Sequence, residues 1–185
     1  MNLPNRLSMI RICMIPFFVA FAMMDAFWAQ LLAVAIYIVA CITDALDGHI
    51  ARSRGLVTNF GKFMDPIADK LLVMSALIIL VSQNRMPAWV CILMLAREFL
   101  ISGFRLVAAE TGKVIAAGKL GKLKTIFQMV STIAIMLLVP VGDSIAILGK
   151  FGVILANILM YIALVLTVVS GADYILRNRD CIGDM

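Results

Sequence analysis

Long apolar runs separated by short polar stretches make up most of the chain. They lie at residues 7–24, 26–43, 61–82, 87–109, 126–141 and 151–170. A helix of about 20 residues is needed to cross the hydrocarbon core of a bilayer. The pattern therefore predicts an all-α integral membrane protein with six transmembrane helices, and we expect residues 1–185 to form a single membrane domain.

The basic residues predict the orientation of these spans. The links at 25, 83–86 and 142–150 fall on one side of the membrane, while both termini and the regions 44–62 and 110–125 fall on the other. The second side carries 14 of the 16 Lys and Arg residues, so the positive-inside rule makes it cytoplasmic. The opening "MNLPNRLSMIR" mixes basic and apolar residues, which is typical of a short amphipathic helix on the cytoplasmic surface. We therefore predict a multi-pass protein of the cytoplasmic membrane with both termini in the cytoplasm.

Composition agrees with this class and narrows the chemistry. The chain is 63% hydrophobic and only 15% charged, with a mean hydropathy of +1.05. Its net charge of +5 is explained by basic residues that set the topology and contact anionic lipid, so no nucleic-acid partner is expected. The four cysteines show no paired spacing and there is one histidine. A metal site in this chain would therefore use oxygen ligands.

Four aspartates stand close together in "DALDGHIARSRGLVTNFGKFMDPIADK". Asp44 and Asp47 lie about 60° apart around one helix, and Asp65 and Asp69 about 40° apart around the next. Glycines in the connection allow the chain to turn back and bring the two pairs together. Converging carboxylates repel one another, and hard divalent cations relieve that repulsion. Four of them suffice for two ions, the arrangement used for in-line phosphoryl displacement.

The alternative is that these aspartates are interfacial groups paired with neighbouring cations: Arg52, Arg54, Lys62 and Lys70. Two of the four lie within an apolar run, where ionisable groups usually mark function. The metal-site interpretation is therefore preferred.

The aspartate segment also resembles a family signature. Its pattern is Asp44-x2-Asp47-Gly48-x2-Ala51-Arg52-x8-Gly61-x3-Asp65-x3-Asp69, which matches the CDP-alcohol phosphatidyltransferases without a departure. The resemblance implies an enzyme, usually a homodimer, in which the diphosphate of a CDP-activated lipid lies on two Mg²⁺ ions, with Mn²⁺ as the alternative. An alcohol then attacks the phosphorus that bears the lipid, and CMP leaves.

The same resemblance assigns roles to individual residues. Asp44 and Asp65 would bridge both metals, Asp47 would bind one and Asp69 the other. Asp69 would also be the general base. For CDP-diacylglycerol, the residues implied are Gly48, which permits close approach of the nucleotide, Arg52, which offers a planar fork to the diphosphate, and Thr58, which contributes a hydroxyl.

Other stretches point to glycerol 3-phosphate as the acceptor. "NLPNRLSMIR" resembles the N-P-N-x-L-T-x-x-R opening of the bacterial phosphatidylglycerophosphate synthase subfamily, with departures at Leu3 and Ser8. In that subfamily, the positions of Asn5 and Ser8 contact the nucleotide end of the lipid. "DPIADKLLV", "AREFLISGFR" and "GKLGKLKT" are similar to the same subfamily.

A cluster of cations agrees with an anionic acceptor. Arg97 lies within an apolar run, where an unpaired charge is costly. Together with Arg105 and Lys122 it would hold a small dianion such as glycerol 3-phosphate, and we expect Glu98 to position an arginine by an ion pair. The product would be phosphatidylglycerophosphate, a precursor of phosphatidylglycerol and cardiolipin.

Two alternatives remain open from the residues. The same chemistry serves another acceptor in a cardiolipin synthase or in a relative that uses inositol phosphate. A small membrane cation transporter would use the aspartates as an ion path, but it would need carboxylates spread through the membrane depth. In this chain, the only acidic residues expected on the external side are Asp25 and Asp143.

Overall fold

Six helices make up the part of the chain that the structure, a computed structural model, describes: residues 3–53, 59–110, 118–144 and 146–178. Within these ranges, the side chains at 3–5, 45–53, 59–60, 62–63, 109–110, 119, 139–144 and 146–150 are not described. The helices are α1 (Leu3–Ala22), α2 (Phe27–Ser53), α3 (Asn59–Ser82), α4 (Ala88–Glu110), α5 (Lys119–Ser144) and α6 (Ala146–Arg177).

The outside of the helical bundle is apolar. Phe151, Val165 and Leu176 are each more than half exposed, and a contiguous surface of this kind marks contact with lipid or with another protein. Among the described residues, three helices have windows long and apolar enough to cross a bilayer, at Phe27–Asp44, Leu120–Leu138 and Phe151–Arg177. The described part of the chain is therefore all-helical, with apolar helices typical of a membrane protein.

The core joins the helices through apolar packing. α1 packs on α2 and α3, and α5 packs along α6. In addition, α4 lies against α6, and α2 lies against α5. Near the centre, the rings of Phe18 and Tyr37 have centroids 5.6 Å apart, and both side chains are fully buried. Buried hydroxyls bond to backbone carbonyls of the preceding turn, as Thr167 Oγ1 does with Ala163 at 2.6 Å. Such bonds satisfy polar groups where water is absent.

A tight turn connects α3 to α4. Asn84 has a φ of 55°, the left-handed conformation that commonly ends a helix and that asparagine tolerates. The backbone N–H of Arg85 donates to the Leu80 carbonyl at 2.9 Å, which satisfies one of the terminal carbonyls of α3. The link predicted at 83–86 is confirmed.

Several helices extend beyond the predicted apolar runs. α2 continues to Ser53 and α5 begins at Lys119, so much of the polar sequence beside the spans is helical. The predicted link at 142–150 is wrong, because α5 continues to Ser144 and α6 begins at Ala146. Polar residues end an apolar run without ending a helix, since helical backbone bonds form equally well outside the hydrocarbon. Residues 3–22 form one helix, so the surface helix and first span predicted separately are continuous.

Candidate active site

One face of α1 contacts an aspartate on each of the two helices beside it. Ser8 Oγ donates a hydrogen bond to Asp65 Oδ1 at 2.5 Å, and Arg11 Nη1 donates to Asp44 Oδ1 at 2.5 Å. Ser8 and Arg11 are three residues apart and both are fully buried. Because residues three apart share a helix face, a single turn of α1 holds carboxylates from α2 and α3.

Asp69 lies one turn beyond Asp65 on α3 and is partly buried. It interacts electrostatically with Asp44 of the neighbouring helix α2, and also with Arg11 and Lys124. The structure therefore brings three of the four predicted carboxylates to one region. The fourth, Asp47, has its backbone in α2, but its side chain lies outside the described residues.

The donor chemistry of this region suits a hard cation. Its polar atoms include carboxylate and hydroxyl oxygens, which Mg²⁺ and Mn²⁺ prefer. Among the side chains that the structure describes, no three acidic, cysteine or histidine groups converge on a point where they would share an ion. Asp44 and Asp65 each direct one oxygen to α1 instead. A cation binding to these oxygens would compete with Arg11 and Ser8.

A second polar group links α4 to α5. Lys124 is buried and forms an ion pair with Glu98, and Arg97 Nη1 lies 3.8 Å from the same Glu98 oxygen, Oε1. Glu98 is thus an ion-pair partner, as expected, and its nearer cation is Lys124. Lys124 also interacts electrostatically with Arg97 and Asp69. Its interactions thus include a carboxylate of α3 and an arginine of α4.

Both arginines of α4 are anchored on α6. Arg97 Nη2 donates to Ser170 Oγ at 3.0 Å. Arg105 Nε donates to Tyr174 Oη at 3.3 Å, and the Arg105 guanidinium carbon lies 5.3 Å from the centroid of that ring. Ser170 and Tyr174 are one turn apart, so the same face of α6 orients both guanidinium groups. Arg97 and Arg105 also interact electrostatically with each other.

The remaining predicted site residues stay predictions. Lys122 is exposed, and no contact of its side chain is seen among the described residues. Asn5, Gly48 and Arg52 have backbones in α1 and α2, but nothing is described of their side chains. Thr58 lies outside the described residues altogether.

Three polar residues of this region received no role in the site from the sequence: Arg11, Lys124 and Gln128. Arg11 carried a signal, because it is the only charged residue in the apolar run at 7–24. In the sequence, Lys124 is one of several lysines at the start of a span, and the positive-inside rule alone explains such a residue as a membrane anchor. The structure distinguishes it from Lys122, because Lys124 is buried in an ion pair with Glu98 whereas Lys122 is exposed.

Comparison with known proteins identifies the family. The family described as CDP-alcohol phosphatidyltransferase matches residues 1–169. The chain belongs to the CDP-alcohol phosphatidyltransferase family. It is 40% identical to a Bacillus subtilis protein over 98% of this chain and 97% of the relative. It is 40% identical to a Rickettsia typhi protein over 94% of each. Both relatives are named CDP-diacylglycerol–glycerol-3-phosphate 3-phosphatidyltransferase.

The CDP-alcohol phosphatidyltransferase match takes in every element of the candidate site except the last turns of α6. The aspartates on α2 and α3, the α1 face that binds them and the cations on α4 and α5 all fall within residues 1–169. Tyr174, which orients Arg105, lies beyond that range.

Proposed function

We propose that the protein is a CDP-diacylglycerol–glycerol-3-phosphate 3-phosphatidyltransferase, which transfers the phosphatidyl group of CDP-diacylglycerol to sn-glycerol 3-phosphate. The products are phosphatidylglycerophosphate and CMP. The observation that carries the proposal is the 40% identity, over nearly the whole of both chains, to relatives that bear this name. The aspartates clustered beside buried cations support it from the chain itself.

The carboxylates are assigned to metal binding. Asp44, Asp47, Asp65 and Asp69 would hold two Mg²⁺ ions, or Mn²⁺ in their place. When bound, the ions would neutralise negative charge on the phosphoryl oxygens.

Asp69 also guides the reacting proton. It accepts the proton of the attacking hydroxyl, whose oxygen forms a bond to the phosphorus that bears the lipid. The bond between this phosphorus and the oxygen of CMP breaks, and CMP leaves with that oxygen. Positioning the hydroxyl against the base and the phosphorus contributes much of the rate in such reactions.

The substrates are assigned to two sides of the carboxylates. Asn5, Ser8, Gly48, Arg52 and Thr58 would bind CDP-diacylglycerol. The bond from Ser8 to Asp65 supports this, since a hydroxyl that would bind the nucleotide lies beside a carboxylate that would bind metal. Arg97, Arg105 and Lys122 would bind the phosphate of the acceptor, and the shared anchoring of the two arginines on α6 supports their convergence.

The membrane arrangement follows from the same assignments. We propose six transmembrane helices with the first turns of α1 at the cytoplasmic surface, both termini and the active site facing the cytoplasm, and a homodimer of single-domain chains. Trp28 and Trp89 are half exposed at the starts of α2 and α4, the ends opposite the aspartates. Tryptophan favours the membrane interface, which supports that orientation.

An acceptor panel tests the proposal. Purified protein with CDP-diacylglycerol and Mg²⁺ is given glycerol 3-phosphate, inositol phosphate, phosphatidylglycerol or serine, and CMP release is measured. We expect CMP release with glycerol 3-phosphate and loss of that release with a chelator. CMP release with phosphatidylglycerol or inositol phosphate instead would support the same reaction but contradict glycerol 3-phosphate as the acceptor. Cation transport without CMP release would contradict the enzyme assignment.

A further inference from the structure

A cleft lies between α3, α4 and α5, and the proposed base, Asp69, is part of its lining. Its polar lining comprises Asp69, Lys70, Glu98, Lys124, Thr125 and Gln128. The rest of the lining is apolar, with leucine, methionine, valine and phenylalanine side chains. A mainly apolar cleft with a few convergent polar groups is the usual form of a small-molecule site.

Gln128 is the unusual group in this cleft. It lies one turn after Lys124 on α5 and is 2% exposed. Its backbone carbonyl accepts hydrogen bonds from Ser131 Oγ and Thr132 Oγ1, each at 2.9 Å. Its side-chain Nε2 has no acceptor among the described residues. Buried amide groups are nearly always hydrogen-bonded, so a buried donor that lines a cleft points to a ligand that supplies the acceptor.

The neighbours of Gln128 restrict what that ligand is. Lys124 is already paired with Glu98, so it does not leave an uncompensated charge for a second anion. Lys124 also interacts electrostatically with Asp69 and with Arg97. Asp69 and Gln128 line the same cleft, so an acceptor whose reacting hydroxyl is at Asp69 extends into the space that Gln128 lines.

We infer that this cleft holds the carbon chain of the acceptor, and that Gln128 Nε2 donates a hydrogen bond to the acceptor hydroxyl that does not react. The inference rests on the proposed function. In sn-glycerol 3-phosphate, the hydroxyl at one end attacks and the phosphate is at the other end, so the spare hydroxyl is the central one. Gln128 thus selects a phosphorylated polyol over an alcohol phosphate without a central hydroxyl.

The selection has a simple physical basis. When the central hydroxyl is missing, Nε2 stays buried without an acceptor, and a polar group left unpaired in this way weakens binding. A site built to bond a hydroxyl therefore rejects the analogue that lacks it.

The test compares two acceptors in two proteins. Glycerol 3-phosphate and 3-hydroxypropyl phosphate differ only in the central hydroxyl, and Gln128→Met retains the length of the side chain while removing its donor. We expect the wild-type kcat/KM to be about tenfold higher for glycerol 3-phosphate. In Gln128→Met that ratio falls to about one, with an unchanged KM for CDP-diacylglycerol.

Gln30→Met is the matched control. Gln30 lies near the opposite end of the bundle, where its Oε1 accepts from Arg85, and its removal should leave the acceptor ratio at the wild-type value. A tenfold ratio that persists in Gln128→Met overturns the inference. So does a wild-type protein that uses both acceptors equally, a result that does not depend on the folding of the variant. Absence of CMP release with glycerol 3-phosphate in the wild type would instead overturn the proposed function.

Discussion

Among the described residues, the two fully buried charged side chains, Arg11 and Lys124, and the partly buried Arg97 each have a specific partner. Arg11 bonds to Asp44, Lys124 pairs with Glu98, and Arg97 bonds to Ser170. A lone charge among apolar helices is costly, so such partners are necessary for folding. The partners also determine where each charge points, and it is this direction that the proposed chemistry requires.

Gly171 illustrates how closely Arg97 is positioned. A Cβ atom at Gly171 would lie 3.1 Å from Arg97 Cγ and 3.7 Å from Arg97 Nε. We therefore expect Gly171→Ala to displace Arg97 and to raise the KM for glycerol 3-phosphate by about tenfold, equivalent to about 1.4 kcal/mol. The KM for CDP-diacylglycerol should not change. Steady-state kinetics with each substrate varied in turn checks this.

Gly103→Ala is the control for that substitution. Gly103 lies on α4 between the two arginines, and a Cβ there meets no atom within 4 Å. It should leave both KM values near the wild-type values. An equal rise in both variants would indicate a general effect of removing a helical glycine, and would contradict the role of Gly171.

At the scale of helices, the site depends on α1 lying across α2 and α3. The aspartate motif was predictable, because helical spacing places each pair on one face of its own helix. The bonds from Ser8 and Arg11 were not, since they join residues 57 and 33 positions apart, and local patterns do not specify such contacts. The same limit separates Lys124 from Lys122, which differ only in the face of α5 on which each lies.

The contact of α1 with the aspartates predicts competition between Arg11 and a divalent cation. Without divalent cations, Arg11→Met should lower the melting temperature, because it breaks an ion pair. Breaking a buried ion pair costs up to about 3–5 kcal/mol, and the cost here should be smaller because Asp44 is partly exposed. Added Mg²⁺ should then raise the melting temperature of the variant more than that of the wild type, because it replaces the missing charge. Thermal unfolding in detergent, with and without Mg²⁺, measures both effects.

Arg177→Met provides the comparison. It removes an exposed ion pair to Asp173 on α6, four residues away, and such pairs contribute about 0.3–0.5 kcal/mol. Its Mg²⁺ response should equal that of the wild type. An Arg11→Met response no larger than this control would show that Arg11 and the cation do not share Asp44.

At the scale of the whole molecule, the residues assigned to the proposed site lie toward one end of a mostly apolar bundle. Asp44 lies in the C-terminal half of α2 and Asp65 and Asp69 in the N-terminal half of α3, and Lys124 of α5 interacts electrostatically with Asp69. The all-helical class was predictable because hydropathy runs follow bilayer thickness. The helix ends were not, since polar segments beside the membrane also form helix. A lipid substrate can reach such a site from the bilayer while the small acceptor enters from water.

Turnover by Asp69→Asn tests the central claim most directly. The substitution retains the size of the side chain and removes the carboxylate that would bind metal and accept the proton. With CDP-diacylglycerol, glycerol 3-phosphate and Mg²⁺, we expect CMP release to fall by at least about 10²-fold, while the amount inserted in the membrane and the elution volume in detergent stay the same. CMP release within a few-fold of the wild-type rate would contradict the assignment of this aspartate site to phosphatidyl transfer.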